Sequence, residues 1–363
     1  MSNESRDEDH DSMIGGKMID KGSYSCVFMP ELRCKPNTVQ TLSVKGATMD
    51  AMKEPKLSKL IDTSSAIVEF NIAKHISTIP LWKNYFAISE SICHPAAKQT
   101  ESDLSSCDSV DGRPLSQLRI LSMSYRGDSL YTHRFNMNHF QFPSFMKHIL
   151  EAGSLMAIFG LVHRDLHLGN YLVDSYDIPR IIDFNLSVVA HTRVSASFLS
   201  HAYDPKILQE PPDSTLINAI AHGYSYDRII PAIIKKKHIL RKLQTLFRIS
   251  SMAMERELFD FYKQSKSVKN GDTEAWFHSY WSTIDSWAIG VMLVDMILKV
   301  MNWKRFTETY QEHKQQIEPI LRKMCEINPM KRINCVQALQ MFDPQNFILR
   351  KYGNAWLSRT DSS

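Results

Sequence analysis

The sequence predicts an α+β protein of two lobes, a small strand-rich one followed by a larger helical one. Three observations predict it. The first third is made of short β-type runs around a single helical pattern, the character changes to long helical stretches after Tyr125, and 43% of the 363 residues are hydrophobic, enough for a sizeable core. A strand-rich part followed by a helix-rich part implies two lobes and a cleft.

Residues 1–13, MSNESRDEDHDSM, are polar and acidic without apolar periodicity and are expected to be a disordered tail. The first lobe is expected over residues 14–124, where YSCVFM, TLSVK, YFAIS and LRILSMSY read as strands. One helical pattern, SSAIVEFNIAKHI, recurs at Ile67, Phe70 and Ala73/Lys74. Residues 95–116 are rich in Ser, Asp and Pro and read as a mobile insertion. The second lobe is expected over 125–345, opening with a helix that lines up Phe145, Ile149, Met156 and Phe159 before Gly160 stops it, and 346–363 form a C-terminal tail. No internal repeat interrupts this order.

Composition narrows the function classes. A net charge of +4, from 43 basic and 39 acidic residues, is too small a bias to predict nucleic-acid binding. The most apolar stretch, 287–300, is too short to span a bilayer and carries Asp295, so no transmembrane segment and a soluble protein are expected. The cysteines are thinly spread, with no CxxC pair and no secretory signal, which predicts reduced thiols in a cytosol-like compartment. Cys93, His94 and Cys107 have poor spacing for a zinc site.

The chemistry concentrates in LVHRDLHLGNYLVD, residues 161–174, and in PRIIDF just downstream. Phosphoryl transfer requires a carboxylate to take the proton of a hydroxyl nucleophile and oxygen ligands to hold magnesium against the phosphates. Asp165, Asn170 and Asp183 are suited to those roles.

The order of these motifs resembles that of the protein kinase superfamily over about residues 14–342. The resemblance implies a bilobal protein-kinase-like fold with Asp165 as catalytic base, Asn170 and Asp183 as magnesium ligands, and Arg164 as a tether for the activation segment. It further implies that Gly22, Ser23 and Val27 cover the ATP phosphates. Lys45, in LSVK, would contact the phosphates and pair with Glu69 on the helix. Met123 would be the gatekeeper, Ser124 and Tyr125 would offer backbone groups to adenine, and Asp128 would reach the ribose. In D-x-W-x-x-G, Asp285 would hydrogen-bond the catalytic-loop backbone while Trp287 and Gly290 pack. Arg332 would pair the A-P-E glutamate. The implied cofactors are ATP and magnesium, or manganese in its place; the implied substrates are protein serines and threonines.

Several positions depart from the pattern. Only Gly22 remains of the loop glycines, with Asp20 and Ser25 at the other two positions. Asn185 replaces the D-F-G glycine and is expected to carry its positive-φ turn. His167 stands where lysine is usual, which predicts slower or pH-sensitive transfer. No A-P-E is present, leaving Glu274 or EPPD, 210–213, as the partner of Arg332, and an inserted region of about 190–273. Its basic, apolar-striped stretch, 228–249, reads either as a helix packed on its own lobe or as a dock for an acidic partner or membrane surface. HRDLHLGN together with GSYSCVF is further similar to divergent kinases of nucleocytoplasmic large DNA viruses, implying a cytoplasmic or virion location. A serine/threonine protein kinase is therefore the expected activity. A pseudokinase module and a small-molecule phosphotransferase are the alternatives.

Overall fold

The computed structural model describes residues 16–21, 25–42, 55–99, 104, 107 and 113–360. The expected acidic tail, Gly22, Ser23 and Lys45 lie outside them. The chain divides into two compact units, Met1–Pro80 with Ala87–Tyr125, and Leu81–Phe86 with Arg126–Ser363.

The first unit is built on an antiparallel sheet of six strands: β1 (Lys17–Lys21), β2 (Ser25–Met29), β3 (Gln40–Thr41), β4 (Lys56–Asp62), β5 (Ser91–Cys93) and β6 (Leu118–Ser124). Their order is β1-β2-β4-β6-β5-β3. The central strand, β4, is KLSKLID, a nearly continuous buried run, as a strand covered on both faces must be. Cys26, Phe28, Leu60, Leu118 and Ile120 form one apolar cluster, and Ile61, Ala66, Phe70, Ile92 and Leu121 another. Helix α1 (Thr63–Ile76) follows β4 at once, because Asp62 ends the strand and caps the helix, its side chain accepting from the Ser65 N–H. Burial of Phe70, only 3% exposed, stabilises this packing by about 2 kcal/mol.

Three expectations are corrected here. Residues 85–89 form no strand of this sheet: 82–85 are helical and Phe86 makes only an isolated bridge to Ile181. Ile67 is 48% exposed, and α1 buries Ala66, Glu69, Phe70, Ala73 and Ile76 instead. The thiols of Cys26, Cys34, Cys93 and Cys107 are not free. Cys26 is bonded to Cys107 and Cys34 to Cys93, with Cα separations of 6.0 and 5.7 Å. A reducing cytosol does not favour such bonds, and the sheet brings together residues 81 and 59 apart that no local spacing reveals. Both candidate zinc cysteines are consumed by them. Cys325 and Cys335 remain free and buried.

The second unit begins with β7 (Asp128–Ser129) and α2 (Phe142–Ile158), which buries Phe145, Ile149 and Met156 and ends beside Gly160 at φ +69°. Short strands then frame the candidate site: β8 (Leu161–Val162), β9 (Tyr171–Val173), β10 (Pro179–Ile181) and β11 (Val188–Val189). β7, β9 and β10 form one antiparallel sheet, β8 and β11 another. Gly127 sits at φ +113°, where a Cβ would come within 2.1 Å of the Val173 carbonyl, so only glycine fits the approach to β7.

The rest is helical: α3 (Pro212–Ala221), α4 (Tyr226–Lys236), α5 (Ile239–Phe247), α6 (Ser251–Gln264), α7 (Thr273–Val300), α8 (Lys304–Met324) and α9 (Cys335–Phe342). α7 is the hub, packing on α2, α5 and α8 with Trp287, Ile289 and Leu293 fully buried. The apolar stripe of residues 228–249 faces inward. Ile229, Ile230, Ile233, Ile234, Leu240 and Leu243 are buried on α4 and α5, leaving Arg228, Lys235, Lys236 and Arg241 on the exposed face. No helix among the described residues is long and apolar enough to cross a membrane.

Candidate active site

The loop between β8 and β9 carries His163, Arg164, Asp165, His167 and Asn170, and its backbone is held from beneath. Asp285, in the middle of α7, accepts from the N–H of His163 (2.7 Å) and of Arg164 (2.9 Å). Full burial pushes the Asp285 carboxyl above its ordinary range, although those two bonds and the nearby His163 and Arg164 act the other way. Arg164 takes φ +69°, and its guanidinium donates to the carbonyls of Phe198 and Leu199 at 3.1 and 3.0 Å, fastening the segment downstream of Asp183. His163 Nε2 donates to the Ile182 carbonyl at 2.9 Å while its Nδ1 accepts from the Asp165 N–H at 3.3 Å, so one imidazole ties the loop to β10.

Asp165 is held on three sides. Asn170 Nδ2 donates to its carbonyl at 2.8 Å and to Oδ2 at 3.3 Å, Gln209 Nε2 donates to Oδ1 at 2.7 Å, and His167 Nε2 lies 3.8 Å from Oδ2. With Nδ2 committed to Asp165, Oδ1 is the Asn170 atom suited to a cation. The Ile182 N–H donates to the Asn170 carbonyl at 3.0 Å, which sets Asp183 one residue beyond Asn170's neighbour. Asp183 itself takes φ +63° at the start of a 3-10 turn, and Phe184 packs on His163 with ring centroids 4.9 Å apart. Here the expectation for Asn185 is corrected: the left-handed residue of this turn is Asp183, Asn185 lies inside the turn, and no glycine-like freedom is required of it.

In the first unit, Glu69 does have a buried lysine partner, Lys59 of β4. Its Nζ lies 2.8 Å from Glu69 Oε2, both residues are almost wholly buried, and Ser89 Oγ donates to Glu69 Oε1 at 3.4 Å. The expected pairing of Glu69 with Lys45 falls outside the described residues. Val27 stands opposite Lys59 in the β2–β4 register, and Met123 is buried on β6. The Tyr125 N–H donates to the Pro55 carbonyl at 2.8 Å. Asp128, in the second unit, is exposed on β7.

Arg332 finds its acid in the EPPD stretch. Its Nη2 lies 2.6 Å from Asp213 Oδ1 with both side chains fully buried, and the guanidinium stacks over Trp287 at 5.2 Å. Glu274 instead accepts from the Ala196 N–H at 2.9 Å, which corrects the first candidate for that role.

Gln209 was not foreseen. It sits in an aperiodic polar stretch whose only sequence signal is its place just before EPPD. Lys59 was legible in principle, since a lysine inside the apolar run LSKLI needs a buried acid, and Glu69 is ten residues on.

Among the described residues no group of three or more His, Cys, Asp or Glu side chains forms a metal cage. Magnesium is ordinarily held by one or two protein oxygens with substrate phosphates and water, and Asn170 Oδ1 with the Asp183 carboxylate is a donor set of that kind. The chain matches no model of a known protein family and no curated protein.

Proposed function

We propose that the protein is an ATP-dependent kinase, with a bilobal kinase-like fold, that phosphorylates serine or threonine hydroxyls of proteins. The observation that carries this reading is the support of Asp165: a loop backbone bonded to a buried Asp285, a carboxylate oriented by Asn170, and a direct backbone link to the turn of Asp183. Asp165 accepts the hydroxyl proton as the hydroxyl oxygen bonds to the γ-phosphorus and the bond to the β–γ bridging oxygen breaks. In the first unit, Lys59 held by Glu69 is a cation of the kind phosphate oxygens require. Asn170 and Asp183 would hold magnesium, which supplies charge neutralisation on the phosphates.

The test is incubation with γ-labelled ATP, magnesium or manganese and generic basic and acidic protein substrates, followed by identification of the labelled amino acid. Label is expected on serine or threonine. Asp165→Asn should retain ATP binding and lose about a hundredfold or more in rate, whereas Asp183→Asn should lose magnesium-dependent nucleotide binding. Undiminished transfer in both variants overturns the assignment.

A further inference from the structure

We propose that Lys237, contributed by the inserted helical region, is a positioning residue for phosphotransfer: it fixes the backbone around Gln209 so that the Gln209 amide holds the Asp165 carboxylate. This role rests on the kinase reading above.

Two side chains, Lys237 and Trp287, donate to the backbone of residues 207–210. Lys237 is fully buried, and its Nζ donates to the carbonyls of Ile207 at 2.6 Å and Glu210 at 3.0 Å. The indole N–H of Trp287 donates to the Leu208 carbonyl at 3.2 Å. Gln209, between these anchors, donates Nε2 to Asp165 Oδ1 at 2.7 Å. The Glu210 carboxylate is occupied by His201, Ser214, Thr215 and Asn218 at 2.9–3.1 Å, so the end of the stretch is pinned as well.

The chemistry of Lys237 supports a role beyond packing. Its neighbours in KKKH, Lys235 and Lys236, point to solvent, while Lys237 gives its ammonium to main-chain carbonyls rather than directly to a carboxylate. Burial lowers it to about 8, with Glu210, Asp204 and Asp213 acting the other way. Desolvating an ammonium is costly, and methionine would fill the same space without that penalty. What methionine cannot do is bond the Ile207 and Glu210 carbonyls that bracket Gln209. The inserted region thus acts as a built-in brace for the base.

The experiment uses the full chain and compares wild type, Gln209→Ala, Lys237→Met and the double variant by steady-state phosphotransfer and by amide hydrogen exchange. Lys237→Met should speed exchange over residues 205–210 about tenfold or more while α2 exchanges as in wild type. Both single variants should lower kcat about tenfold with the KM for ATP within about twofold, and the double variant should fall no more than about twofold below the worse single one. Multiplying losses, or exchange unchanged in Lys237→Met, overturns the brace. If Lys237→Met fails to fold, Gln209→Ala decides: an unchanged kcat there overturns the role of Gln209 and the brace with it. A wild-type protein inactive with every metal and substrate overturns the kinase reading and the positioning role together. Active wild type with an inactive Asp165→Asn and an unaffected Gln209→Ala overturns only the latter.

Discussion

Each unit of this protein buries an ion pair, and the two pairs differ in how far the chain travels to make them. Lys59 and Glu69 are ten residues apart, on a strand and the helix that leaves it directly, and each retains a few per cent of exposed side chain. Asp213 and Arg332 are 119 residues apart, wholly buried, and joined by a single close contact that leaves Asp213 Oδ2 and Arg332 Nη1 without hydrogen bonds. A buried charge is tolerated only if its partner arrives, and the longer path makes the second pair depend on the whole helical unit having folded. The first needs only a strand, a cap and two turns of helix. That difference teaches what each pair is for: the distant pair locks a completed fold, and the local pair presents an ammonium at a defined place.

The comparison can be broken most strongly at the disulfides that support the first unit. Loops of 81 and 59 residues each correspond to about 4 kcal/mol in the chain-entropy picture, so reduction should lower the denaturation midpoint of the sheet unit while leaving the helical unit's transition in place. Two-probe denaturant titration with and without reductant measures this; coincident shifts in both units would show that they do not unfold separately.

Removing Arg332 is the next largest effect. Arg332→Met strands a buried Asp213 carboxylate and should cost about 3–5 kcal/mol, with much of the loss recovered when Asp213 is also replaced by leucine. Lys59→Met should behave differently if the comparison is right, reducing phosphotransfer about a hundredfold or more with a smaller loss of stability. Equal stability losses and full transfer in Lys59→Met would make the two pairs equivalent.

The smallest effect is a pH dependence. The hydrogen bond from His201 to Glu210 raises the histidine above 6.5, and Glu210, though burial acts against it, is held below 4.5 by His201 and Lys237. The His201 contribution is complete below pH 6.5 and lost as pH rises through its folded value. That of Glu210 is complete above pH 4.5 and lost as pH falls through its folded value. The pair therefore stabilises most between about pH 4.5 and 6.5, and in a melting series His201→Gln should lower stability within that window and flatten its fall above pH 6.5.

Much of the helical unit was legible in the sequence, because its signals are local. The periodicity of α2, the stop at Gly160 and the residues of the Asp165 loop are all read within twenty positions. The sheet was harder. β4 was missed because a strand covered on both faces loses its alternation. The pairing of Arg332 with Asp213 was left open between two candidates, since only tertiary structure decides which acid reaches a residue more than a hundred positions away. Gln209 and Lys237 were illegible for a similar reason. Nothing in KKKH distinguishes the buried lysine from its solvated neighbours until the helices are packed.

The two disulfides are nested, Cys34–Cys93 lying within the span closed by Cys26–Cys107. A protease that cuts the chain anywhere between Cys26 and Cys107 therefore leaves both fragments covalently joined. The serine- and aspartate-rich stretch before Cys107 can be nicked without shedding β1 and β2 from the rest of the sheet. Such a molecule runs as one band on a non-reducing gel and as two after reduction, and it keeps Lys59 on a polypeptide still linked to Asp165.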